Sequence, residues 1–221
     1  MTELLAIELE SAGAALARES ARYSGMGWMR GSSGNLSLVL RRDPLRLAVT
    51  RSGVDKGELA AHDVVVVDRD GAVAPEEPDP GARPSAEAGL HGRIAAVSGA
   101  GAVVHLHVLA PVLAARRWPG GIALRDLEML KGLGRGAHGD EVVVPVVPND
   151  QDMGRLGDAF ERSYDAGTPA LVLADHGIYV WGRDLVQARH RAECLEWTVR
   201  YALAAEGIAA GGLGARGQLD A

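Results

Sequence analysis

The stretch 101-GAVVHLH-107 begins as an apolar run and ends on two histidines one residue apart. Read as a strand, it points side chains at i and i+2 to the same face, with backbones about 6.5–7 Å apart, so His105 and His107 can converge on one ion. The plainer alternative is two polar residues on a half-exposed strand. A zinc site open to substrate commonly takes three protein ligands, so a third is needed. His176 is the candidate, placed in the turn Asp175-His176-Gly177 between the apolar runs 170–173 and 178–181. His62, His91, His138 and His190 compete with it. His91 and His190 fall in predicted helices, His62 and His138 in predicted loops.

Working outward, Leu36–Leu40 and Leu45–Thr50 read as strands joined at Asp43-Pro44, and Val64–Val67 as a short buried strand. Leu5, Leu9, Ala12 and Leu16 recur at helical spacing, which predicts a helix over about 2–24. An acidic, Pro-rich loop over 76–83 leads to a predicted helix from Pro84 to about Val97. Further helices are predicted from Pro111, over 150–164 and from an N-cap at Asp184, with a strand over 142–147. The alternation of strands and helices makes residues 1–206 one α/β domain. The Gly/Ala-rich residues 207–221 read as a flexible tail.

The 221 residues are 47% hydrophobic, enough for a substantial core in one domain. With 23 Lys and Arg against 29 Asp and Glu, the net charge is −6. No concentrated basic face is in view, so nucleic acid is not an expected partner. The lone Cys194 cannot form an intramolecular disulfide. Glu3, Glu8 and Glu10 do not suit a secretory leader, and no apolar stretch approaches the ~20 residues of a membrane span. A cytoplasmic protein without a membrane partner is the expectation.

Three polar loops have the makings of an anion cradle: Ser32-Ser33-Gly34-Asn35, Thr50-Arg51-Ser52-Gly53 and Pro84-Ser85. Each alone is an ordinary turn or cap; together they matter only if they converge. Glu87 and Glu128 are the acids of interest, because a carboxylate beside a metal-held carbonyl can take the proton α to it. The GxGxxG match at 134–139 is discounted. A dinucleotide fingerprint needs a strand before it and a helix after it, and here the predicted order is the reverse.

The ordered set SSGNLS (32–37), TRSGVDKGEL (50–59), RPSAE (83–87), GAVVHLH (101–107) and DHGIYVWGRDL (175–185) resembles the class II aldolase/adducin family. The resemblance implies a single-domain three-layer α/β/α sandwich around a mixed, largely antiparallel sheet. It implies one zinc ion per subunit on His105, His107 and His176, and a homotetramer with sites near subunit interfaces. The implied substrate is a small phosphorylated ketose. Asn35, Ser52, Gly53 and Ser85 match family phosphate contacts, and Ser33, Gly34 and Lys56 belong to the same binding group. Glu87 matches the acid/base glutamate of the aldolases, and Glu128 the base of the dehydratases. SGVDKG, PSAE, EMLKGL (128–133), PNDQDM (148–153) and HGIYVWG are nearest to family members of methionine salvage that dehydrate 5-methylthioribulose 1-phosphate. The alternatives are a sugar-phosphate aldolase, a pentulose-phosphate 4-epimerase, or a non-catalytic adducin-like interaction module. Two departures stand out: His105-Leu106-His107-Val108 where the family often has HTHS, and Ala86 where the aldolases have serine.

Overall fold

The computed structural model describes residues 3–79, 81–136 and 139–212. Helix α1 (Glu3–Gly25) precedes the hairpin β1 (Asn35–Arg42) and β2 (Leu45–Thr50), then β3 (Val64–Val67). Helix α2 (Ala88–Ser98), β4 (Ala102–Leu106) and α3 (Leu109–Arg117) follow. Next come β5 (Ile122–Arg125), a 3-10 helix (Glu128–Leu133), β6 (Glu141–Val144) and β7 (Val146–Val147). Helix α4 (Met153–Ser163), the hairpin β8 (Ala170–Leu173) and β9 (Gly177–Gly182), and α5 (Leu185–Gly212) complete the chain.

Seven strands form one sheet in the order β3-β2-β1-β4-β9-β8-β7. Its neighbours are antiparallel except β7 with β8. The mixed, largely antiparallel sheet is the expected one. Strand alternation divides the core between two helical layers. Ala102, Val104 and Leu106 of β4 pack with Leu16, Ala114 and Val199 from α1, α3 and α5. Val103 packs instead with Leu90, Ile94, Leu156 and Phe160 of α2 and α4. His105 shares Val103's face, so the α2/α4 side of the sheet is apolar at one end and carries the chemistry at the other. Asp184 caps α5 as expected, its Oδ1 accepting from Gln187 N at 2.7 Å.

Several expectations need correction. The helix read from Pro84 begins at Ala88, because Pro84 bridges Arg51 and a turn closes Ala88 N onto Ser85 O at 3.1 Å. The run 142–147 is two strands in two sheets, since Pro145 has no N–H to continue a ladder. Strand β5, partner of β6, was not anticipated. Helix α5 continues past residue 206 to Gly212. The remaining tail, 213–221, lies outside the described residues, as does His138.

Candidate functional site

Register places Asn35 of β1 opposite His105 of β4, and His105 opposite Tyr179 of β9. These three residues form a polar rank across the middle of the sheet. His107 lies just past β4, where its N–H donates to the Trp28 carbonyl at 2.9 Å. His176 comes from the β8–β9 turn, held by His176 N to Leu173 O at 3.2 Å and by Asp175 in the left-handed region (φ 56°). Gly177 must be small: a Cβ there would sit 2.5 Å from the Leu106 carbonyl oxygen and 3.2 Å from ring carbons of both His105 and His107.

The three imidazoles turn the same atoms inward. His105 Nε2 lies 3.1 Å from His107 Nε2 and 3.3 Å from His176 Nε2. His105 Nδ1–H donates outward to the Ile178 carbonyl at 3.0 Å, and His176 Nδ1–H to Asn149 Oδ1 at 3.2 Å. Those outer bonds fix the tautomers of His105 and His176 and leave their Nε2 lone pairs facing the cluster, where His107 Nε2 also points. Burial, then the charges of His107 and His176, hold the His105 pKa well below the ordinary value. Burial and His176 lower that of His107 against the opposing pull of Glu87. Neutral imidazole is the form that binds metal. Three converging nitrogen lone pairs are an arrangement a cation satisfies, and an all-nitrogen set suits zinc among others.

Glu87 closes the cluster. Its Oε2 is 3.3 Å from His105 Nε2 and its Oε1 is 3.5 Å from His176 Nε2. Asn35 Nδ2 donates to Glu87 Oε2 at 2.7 Å, while Asn35 Oδ1 accepts from His91 Nε2 at 2.5 Å. His91 Nδ1 must then accept from Ser37 Oγ, at 2.7 Å. This buried chain determines every donor and acceptor along it. Burial, reinforced by His105, lowers the His91 pKa from 6.5 to about 3, Glu87 opposing. Tyr179 stacks on His105 with centroids 4.3 Å apart, and its buried hydroxyl has no hydrogen-bond partner among the described residues. Burial raises the pKa of that phenol well above its usual value, and the Glu87 charge adds to this.

A cavity of about 330 Å³ opens beside the cluster, and the polar loops do converge on it. Backbone bonds stitch them together: Lys56 N to Gly31 O at 2.8 Å, and Ser52 N to Arg83 O at 3.1 Å. Ser33, Gly34, Asn35, Ser52, Lys56 and Ser85 line it, with Glu87, His107 and His176 at one wall; Gly53 does not line it. Lys56 is only 1% exposed. Its ammonium donates to the carbonyls of Arg51 (3.0 Å) and Val54 (2.9 Å), leaving a third N–H uncommitted. Burial lowers its pKa, partly offset by Asp55 and Asp63.

Glu128 is elsewhere. It opens the 3-10 helix with its side chain 74% exposed, pairs with Lys131, and lines neither cavity that touches the histidines. The sequence gives no role to Asn149 or Tyr179, and His91 enters it only as a competing ligand. The motif PNDQDM carries no signal that Asn149 would orient His176.

Residues 14–203 match the class II aldolase and adducin N-terminal domain family. A methylthioribulose-1-phosphate dehydratase of Persephonella marina is 36% identical, covering 79% of this chain and 81% of its own. Another, from Acidiphilium cryptum, is 41% identical, covering 80% and 82%. Among solved structures, YgbL of Klebsiella pneumoniae is 27% identical with a TM-score of 0.71, covering 96% of this chain and 93% of that one. An L-fuculose 1-phosphate aldolase shares the fold, with a TM-score of 0.71 at 24% identity over 90% and 87%. The chain belongs to the class II aldolase and adducin family.

Proposed function

We propose that this chain is a lyase that removes water from 5-methylthioribulose 1-phosphate, giving 2,3-diketo-5-methylthiopentyl 1-phosphate in methionine salvage. It does so as a cytoplasmic homotetramer with one zinc ion per subunit on His105, His107 and His176. The inward-facing Nε2 atoms of these residues carry the proposal, together with the relatives' names. Bound zinc would supply Lewis acidity at the substrate's C2 carbonyl.

The remaining work falls to the chain. Ser52, Ser85 and the free N–H of Lys56 hold the phosphate, with Ser33, Gly34, Asn35 and Gly53 shaping the loops. Glu128 takes the C3 proton, the C4 hydroxyl leaves as water with a donated proton, and the resulting C3 enol ketonises. Glu87, fixed by Asn35, orients substrate hydroxyls beside the histidines. Because Glu128 is exposed and away from the cluster of its own chain, it serves as base only at another subunit's site. That requirement calls for at least a second subunit at each site, which the proposed tetramer provides.

The position of Glu87 favours a second reading, an aldolase in which Glu87 itself moves the proton. Incubation of zinc-loaded protein with 5-methylthioribulose 1-phosphate separates the two. Loss of one water by mass spectrometry is expected. Cleavage of carbon–carbon bonds in ketose phosphates, with methylthioribulose phosphate untouched, overturns the dehydratase reading.

A further inference from the structure

His107 and His176 line a second cavity, of about 790 Å³, on the side of the cluster away from the polar loops. Its walls include Met26, Trp28, Leu109, Val112, Leu113 and Leu203. Leu109 is 70% exposed and Leu113 48%, unusual exposure for adjacent leucines on one helix face. Trp28 is fixed against the metal-ligand set: its carbonyl accepts from His107 N, and its ring stacks on Tyr23 at 6.0 Å. At the rim, Arg200 pairs with Glu196 at 3.2 Å and Arg30 donates one N–H to the Gly27 carbonyl at 3.2 Å. This cavity offers more apolar surface than the polar cavity, with its cations confined to the rim.

We infer that this second cavity is the subsite for the apolar tail of the substrate, a thioether, with Trp28 and Leu109 as specificity-determining residues. The inference rests on the dehydratase reading. A ketose phosphate whose reacting carbons lie at the histidines, with its phosphate in the polar cavity, sends its other end toward the face of Trp28. A thioether is suited to that place, being apolar and polarisable, and sulfur packs favourably against aromatic rings. A hydroxymethyl end would give up water there against the apolar walls of Trp28, Leu109 and Leu113.

The test is binding, independent of turnover. Affinities of zinc-loaded protein for 5-methylthioribitol 1-phosphate and ribitol 1-phosphate, which have no carbonyl to react, are measured by calorimetry. The wild type should prefer the thioether by about tenfold or more, as expected for burying a group of this size. Trp28→Ala should abolish the preference and Leu109→Ser should reduce it, with ribitol phosphate bound as before. Leu109 is exposed enough that its variant keeps the test open if Trp28→Ala fails to fold. Equal affinity of the wild type for both compounds, or a preference undiminished in Leu109→Ser, overturns the inference alone. Binding of neither compound overturns the ketose-phosphate reading with it.

Discussion

Asn35 stands between His91 and Glu87, accepting from the imidazole at 2.5 Å and donating to the carboxylate at 2.7 Å. Its amide thus ties the Glu87 carboxylate to the buried His91 and Ser37 between β1 and α2. Without it, Glu87 keeps its place in the chain but not its aim. Asn35→Ala should lower kcat by about 10–100-fold, the usual cost of losing such an outer partner. Metal analysis should show zinc retained. Loss of zinc in parallel with activity would mean that Asn35 acts through the metal site as a whole.

His91 makes stability depend on pH. It faces Ser37 and Asn35 in hydrogen bonds, the Tyr179 ring edge at 5.4 Å, and the charges of His105 and Glu87. Its folded pKa of about 3 lies below the ordinary 6.5, so the unfolded chain takes up the proton first. The stability contribution is complete above about pH 6.5 and is lost as pH falls toward 3. Urea midpoints should therefore drop between about pH 7 and pH 5. The drop should be smaller in His91→Gln, with His105 supplying the remainder.

Gly177→Ala tests how closely the β8–β9 turn approaches the ligands. The added methyl would lie 2.5 Å from the Leu106 carbonyl, which is backbone and cannot step aside. Overpacking of this kind costs about 1–3 kcal/mol. Chemical denaturation should register that loss, and zinc titration should show weakened binding because both neighbouring rings must shift. Unchanged zinc affinity would place the strain elsewhere.

Glu128 and His107 can be separated by complementation. His107→Ala should lose zinc and activity together, since two imidazoles hold zinc poorly in an open site. Glu128→Gln should keep zinc and fold but lose about 10²–10⁴-fold in rate. Refolding the two variants as a mixture should restore part of the activity, because some sites then combine intact histidines with an intact Glu128 from another subunit. A mixture no more active than its parts would confine catalysis to one chain. Near-normal turnover by Glu128→Gln would transfer the proton step to Glu87.

Local features were legible in the sequence. The two-residue period of a strand over 101–107 placed His105 and His107 on one face. The Asp-His-Gly turn determined where His176 stands, and Asp184 where α5 begins. These features depend on residues within a few positions of one another, where side-chain periodicity and turn chemistry act directly. Only the tertiary structure decided the rest. Setting β4 between β1 and β9 brought Asn35 and Tyr179 beside His105 from 70 and 74 residues away, a register no single segment specifies. The Arg51–Pro84 bridge delayed α2 until Ala88 and left Glu87 free to face the histidines. The same packing left Glu128 on the surface, although its motif matched the catalytic glutamate. Strand pairing and loop convergence are long-range choices, settled by which faces can be buried together, and so they are visible only once the chain is folded.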